Sequence, residues 1–343
     1  MKNEDIYRKI KSNFDALSKP LDGLGEFEEI IARMGAVLSD ERADIKRAAL
    51  AVFISDNGII KEGVSQSDET VTLSVAKMLG AHRTSVCFMA DEAGVDVYPY
   101  NIGIRFNEAI EGVDASHFVM PGTADFLLKE AMAEKDMLSG LKAGEQVAKE
   151  IYDKGYRVLL LGEMGIGNTT TSAAVISALL GKSPKDICGR GAGLSDAGLI
   201  RKVQVIEQAI RQYELTPESD PLRVLQSVGG VDIAAMTGAI TKAYELNMPV
   251  ILDGLITAAA ALISVRMDEK YRDILFFSHR GREKGIMDVA RALNMEPMLA
   301  GGMALGEGTG AVMYYGLLKT AKAVYDANAT FAESGVESYH RFT

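Results

Sequence analysis

The chain has 343 residues, 48% hydrophobic and 24% charged, the balance of a globular protein with apolar material for two domains or one large α/β unit with an appendage. A net charge of −10 excludes a broad nucleic-acid or anionic-membrane surface, so an anionic ligand must be held by local groups. No apolar run approaches the ~20 residues of a membrane helix, and the opening residues carry no signal-peptide pattern, which makes the cytoplasm the expected compartment.

From Asn3 to Met34, charged and apolar residues alternate at helical spacing around a break at Ser18 to Gly25, which predicts two helices joined by a Pro/Gly turn. From Ala48 onward, short apolar runs alternate with glycine turns and helical stretches. The runs are Ala49 to Ser55, Val95 to Gly103, Arg157 to Gly162, Pro249 to Gly254 and Asp273 to His279. This alternation predicts βαβ crossovers, and hence an α/β fold with a mainly parallel sheet covered by helices on both faces. Arg105 to Asp136 carries mixed signals and is expected to hold a loop plus one helix. After Glu307 to Ala311 the pattern predicts one long terminal helix. The helices at both ends are expected to form a small helical domain, 1–40 with 303–343, leaving 41–302 as the large domain. Cys87 and Cys188 read as buried reduced thiols. The four histidines have no metal-ligand spacing, so no metal site is expected.

Leu159 to Ala174 (LLLGEMGIGNTTTSAA) carries the most chemistry. A buried strand ends near Leu161, and Gly162, Gly165 and Gly167 then allow a tight turn and close approach to a ligand. A helix follows, with Asn168 or Thr169 expected as its N-cap. The amides of its first turn favour a phosphate or carboxylate; an ordinary strand-to-helix turn reads the same way. The spacing is neither GxxxxGK[ST] nor GxGxxG.

Four predicted strands end in polar, glycine-accompanied sequences: Ser55 to Gly58, Gly162 to Thr170, Asp253 to Gly254 and Ser278 to Gly281. Ligands of open α/β sheets sit beyond such strand ends. Glu163 follows an apolar strand, where burial raises a carboxyl pKa and suits it to orienting or proton transfer, or it caps the glycine turn. Glu307 lies between Gly306 and Gly308, open to a ligand or serving as a helix-start turn. Asp253 reads as a positioning acceptor or cap. Glycines at 189, 191 and 193 make a second anion nest. A helix opens after it at Ser195 or Asp196; Arg201 or Lys202 on that helix reaches a phosphate, or both are solvated. No nucleophile elbow or Ser-His-Asp order is present.

Taken in order, GEMGIGNTT, GRGAGLSDAGLIRK, VGGVDIAAMTGA, PVILDG, SHRGREKG and LGEGTGA resemble the nicotinate-nucleotide:dimethylbenzimidazole phosphoribosyltransferase family, the CobT type. SKPLDGLGEFE and SDNGIIKEGVSQSDETVT resemble its two N-terminal motifs in weaker form, so the resemblance covers nearly the whole chain. It implies transfer of 5-phosphoribosyl from nicotinate mononucleotide to a lower-ligand base, a benzimidazole, purine or phenol, in cobamide nucleotide-loop assembly. It also implies a Rossmann-like domain with a small helical domain, a homodimer, and no metal or cofactor. By position, Glu307 matches the general base, Glu163 a second active-site carboxylate and Lys202 a lysine near the phosphate. Gly165, Gly167, Asn168, Thr169, Gly191, Gly193 and Asp253 match the nucleotide and phosphate site. Ser55, Asp56, Asn57, Ser65, Ser74 and Leu305 match the lower-ligand pocket. There the chain departs from the family: Asn57 replaces a histidine, Asp68 and Ser74 replace a proline and a glutamine, and Asp22 and Phe27 alter the first motif. Retained donor motifs beside a changed acceptor loop imply a shifted base preference. The competing expectation is a partner-dependent subunit of a phenol-activating heterodimer.

Overall fold

The computed structural model describes residues 2–106, 108–191 and 193–341. Two helices, α1 (Glu4–Ala16) and α2 (Glu26–Leu38), precede strand β1 (Ala48–Ser55). Helices α3 (Glu69–Gly80) and α4 (Ser85–Ala93) lead to β2 (Asp96–Gly103), and α5 (Glu134–Asp153) leads to β3 (Val158–Met164). Between β3 and β4 (Val250–Leu252) lie α6 (Asn168–Leu180), α7 (Pro184–Ile187), α8 (Asp196–Gln212), α9 (Pro221–Val228) and α10 (Val231–Glu245). Then follow α11 (Leu255–Met267), β5 (Leu275–Phe277), α12 (Gly285–Ala292), α13 (Thr309–Ala327) and α14 (Phe331–Ser334).

The strands form one five-stranded sheet in the order β2-β1-β3-β4-β5, and every pair is parallel. Helix-covered parallel strands are apolar along their length rather than alternating, as AALAVFIS of β1, buried at every position, shows. Strand order reverses between β1 and β3: the chain leaves β1 toward β2 at one edge and returns to β3 on the other side. The crevice at such a reversal, beyond the carboxyl ends of the strands, is where open sheets bind ligands. Ser55 of β1 and Glu163 and Met164 of β3 end there.

The 105–136 segment differs from expectation. Among the described residues it forms no helix before α5 begins at Glu134. Its backbone pairs instead with the outer edge of β2, through Asp114 N–H to Pro99 O at 2.9 Å, Asn101 N–H to Asp114 O at 2.7 Å and Val119 N–H to Ile102 O at 2.9 Å. Covering a sheet edge in this way satisfies backbone groups that would otherwise be open to another chain.

The terminal helices share a small core of Ile10, Phe14, Leu17, Ile31, Ala32, Ala43 and Ala321, with the Phe14 and Tyr325 rings 4.6 Å apart. Helix α13 belongs to both cores. Its first turns, with Ala311, Val312, Tyr314 and Tyr315, pack in the main core, while Ala321 lies in the small one. A 19-residue helix is ~28 Å long, enough to reach both. The approach to α13 crosses β3 so closely that a Cβ on Gly162 would lie 2.5 Å from Glu307 O, so glycine is what lets the loop pass. Cys87 and Cys188 are buried free thiols, and burial pushes the Cys188 thiol up to about 11.

Candidate active site

The ends of β3, β4 and β5 and the loop entering α13 enclose a cavity of about 200 Å³. Of the residues singled out in the sequence, Glu163, Gly165, Asn168 and Thr169 line it from the β3 side. Gly191, Asp253, Leu305 and Glu307 line it from the other loops.

Glu163 belongs to β3 itself, which runs to Met164, and it is 7% exposed. Burial, with Asp232 next in effect, pushes its carboxyl up to about 8. Asn168 holds it: the side-chain amide donates to Glu163 Oε2 and reaches Asp232 Oδ2 at 3.5 Å. Asn168 is therefore not the N-cap. Gly167, at φ 98°, takes that position, and the Asn168 side chain is drawn from its own helix to the two carboxylates. Asp232, on the first turn of α10, is fully buried, and burial raises it to about 6.

Asp253 follows β4 and caps α13 across the sheet. It accepts the Gly310 amide at 2.7 Å and the Gly308 and Ala311 amides at 3.3 Å. Burial pushes it up, while His279 and these amides pull the other way. Glu307 stands at the turn into α13 with φ 61°, between Gly306 and Gly308, which are also left-handed. Its carboxyl lies beside the Thr84 hydroxyl and the Val86 amide at the start of α4, and burial raises it above the usual carboxylate range despite them. Glu307 Oε2 is buried without a hydrogen-bond partner. Leu255, Ile256, Ile286, Met303 and the half-exposed Leu305 supply apolar wall.

The second glycine loop closes on this cavity. Lys202 is fully buried, so it is neither solvated nor paired with Arg201, which binds Glu62 on the surface. Lys202 Nζ donates to Thr169 Oγ1 at 2.9 Å and approaches Gly189 O at 3.4 Å, and burial lowers its pKa. Lys202 thus braces the start of α6 against the glycine loop without lining the cavity. Gly167 packs on Asn57 and Ile60, and Gly193 O accepts Gln66 Nε2.

The N-terminal residues are arranged differently. Ser55 and Asn57 are buried behind the β3 turn, where Ser55 O lies against Gly165 and Asn57 Nδ2 approaches Ile166 O at 3.5 Å. Asn57 Oδ1 has no partner. Asp56 turns away, accepting the Arg105 amide at 2.8 Å. Ser65 Oγ accepts the Ser67 amide, and Ser74, exposed on α3, donates to Thr70 O of its own helix at 2.8 Å. None of these five side chains lines the cavity.

Sequence reasoning missed Asp232, His279, Arg282 and Glu283. Asp232 lies in VGGVDIAAMTGA and the other three in SHRGREKG, both noted as motifs, but only packing shows which side chains meet at the site. No group of three or more His, Cys, Asp or Glu among the described residues is arranged to hold a metal. No described helix is long and apolar enough to cross a membrane.

A family model described as phosphoribosyltransferase matches residues 1–336. A nicotinate-nucleotide–dimethylbenzimidazole phosphoribosyltransferase of Clostridium perfringens is 33% identical over 336 residues, 98% of this chain and 92% of the relative. One of Acetivibrio thermocellus is 35% identical, over 96% of this chain and 93% of its own length. The crystal structure of CobT from Thermus thermophilus superimposes with a TM-score of 0.92 at 34% identity, covering 98% of this chain and all of that one. With sequence and fold matched along almost its whole length, this chain belongs to the nicotinate-nucleotide–dimethylbenzimidazole phosphoribosyltransferase family.

Proposed function

We propose that this enzyme transfers the 5-phosphoribosyl group of nicotinate mononucleotide to a lower-ligand base such as dimethylbenzimidazole, releasing nicotinate; its relatives are named as nicotinate-nucleotide–dimethylbenzimidazole phosphoribosyltransferases. The observation that carries the reading is the set of carboxylates gathered at one cavity, the buried Glu163 and Asp253 and the half-buried Glu307, with the buried Asp232 behind them. Burial raises all four, so each is costly to ionise until a positive charge arrives. The donor brings one. Its pyridinium nitrogen is cationic, and the ribose becomes oxocarbenium-like as the bond to nicotinate stretches. Fixed carboxylates beside that carbon stabilise the developing charge without reorganising.

In the reaction, a ring-nitrogen lone pair of the acceptor attacks C1′. The C1′–N bond to nicotinate breaks, and its electron pair returns to the pyridine nitrogen, so the leaving group needs no acid. The N–H proton of the acceptor passes to Glu307, whose unpartnered Oε2 is free to take it. Thr169 and the Gly191 loop, braced by Lys202, receive the 5′-phosphate. The apolar wall around Leu305 and Met303 suits a flat aromatic acceptor.

The functional unit in this reading is a pair of copies: Phe88 on α4 and Met313 and Leu317 on α13 are exposed apolar side chains on packed helices that meet at the Glu307 turn. Its compartment is the cytoplasm. The test is to incubate the purified protein with nicotinate mononucleotide and a panel of benzimidazoles, purines and phenols. Nicotinate release dependent on one of them is expected; no release with any base refutes the reading.

A further inference from the structure

The loop between β5 and α12 places a carboxylate inside the glycine nest assigned above to the donor phosphate. Glu283 Oε1 accepts the Gly191 amide at 3.1 Å, and Glu283 Oε2 is buried with no hydrogen-bond partner. A side chain at Gly189 would collide with this carboxylate, so glycine at that position is what admits it. Thr169 stands on the far side of the nest: a Cβ on Gly191 would lie 3.0 Å from Thr169 Oγ1, which Lys202 Nζ holds at 2.9 Å. The carboxylate is thus an anion seated on the backbone donor, next to the hydroxyl and lysine that suit a phosphate.

We propose that Glu283 is a displaceable placeholder for the 5′-phosphate and sets the affinity of the nest for anions. A phosphate bound to the Gly191 amide takes that hydrogen bond from the carboxylate, and repulsion between the two anions turns Glu283 out of the nest. Inorganic phosphate has only the nest with which to offset this cost. The nucleotide adds contacts made by the ribose and pyridinium and so offsets the cost more fully, while the cost itself is the same for both ligands. The inference rests on the proposed phosphoribosyl transfer, which places the phosphate at this loop.

The test is calorimetric titration of inorganic phosphate, and separately of nicotinate mononucleotide, into the wild type, Glu283→Gln and Glu283→Ala. Glu283→Gln keeps an oxygen for the Gly191 amide and removes the charge; Glu283→Ala removes both. Tightening of inorganic phosphate binding by about tenfold in either variant, with a comparable gain for the nucleotide, is expected; tenfold corresponds to ~1.4 kcal/mol. Phosphate affinity unchanged within about twofold, or weakened, in a variant with wild-type thermal midpoint overturns the proposal and makes Glu283 a support of the loop. If Glu283→Ala fails to fold, Glu283→Gln decides alone. Wild type that binds phosphate yet releases no nicotinate with any base refutes the functional reading, while the phosphate titrations still decide the role of Glu283.

Discussion

Replacing Glu307 should separate stability from activity. The residue combines features that cost folding energy: a left-handed backbone at φ 61°, a carboxyl raised by burial, and a buried Oε2 without a partner. A non-glycine residue in the left-handed region costs ~1–2 kcal/mol, and glycine costs ~0.5–1 kcal/mol in unfolded-chain entropy. Glu307→Gly should therefore stabilise the protein by about 1 kcal/mol from the backbone alone. The sign for the charge follows from the raised pKa: above the ordinary carboxylate range the unfolded chain ionises more readily, so the wild type loses stability there. Glu307→Gln removes that penalty at neutral pH and changes little in acid. In both variants the proton of the acceptor has no base, and turnover should fall roughly 10²- to 10⁴-fold. Urea denaturation gives the stabilities and nicotinate release the rates. A Glu307→Gly variant less stable than wild type, or a Glu307→Gln variant within about tenfold of wild-type turnover, would refute the reasoning.

Further outcomes follow from the same geometry. Glu163 at about 8 keeps its proton in the folded state while the unfolded chain loses it near the ordinary 4.5. Stability should therefore fall by roughly several kcal/mol as pH rises between these values. Glu163→Gln should flatten most of that slope in denaturant midpoints measured across pH. Asp253→Ala leaves the Gly308, Gly310 and Ala311 amides without their acceptor and should cost about 2–4 kcal/mol in urea unfolding. Gly162→Ala forces the loop carrying Glu307 away from β3, because the added Cβ would meet Glu307 O at 2.5 Å. The expected result is a destabilisation of about 1–3 kcal/mol with a fall in turnover; a variant of wild-type activity would show that the loop has slack.

Where sequence and structure agree, local chemistry decides. The apolar runs became parallel strands because a helix-covered strand is apolar on both faces, and Ser195 caps α8 because its hydroxyl reaches the Gly198 amide three residues on. Where they differ, a distant partner decides. Asn168 looks like a cap, but Asp232, 64 residues away, and Glu163 draw its side chain inward. Lys202 and Arg201 look alike in sequence, yet one faces Gly189 and Thr169 in the interior and the other Glu62 at the surface. Ser74 is a helix residue whose hydroxyl donates to Thr70 O one turn earlier, and nothing in its neighbourhood in sequence marks it as outward.

By itself, then, the sequence determined the βαβ alternation, the glycine turns at the strand ends and the family motifs, all set by periodicity and backbone freedom over a few residues. Only the tertiary structure decided which carboxylates share a cavity, that Asp253 caps a helix more than 50 residues later, and that Glu283 rests on the Gly191 amide. Those facts depend on strand order and helix packing, and a carboxylate acquires its charge state and role only when burial and neighbours are in place.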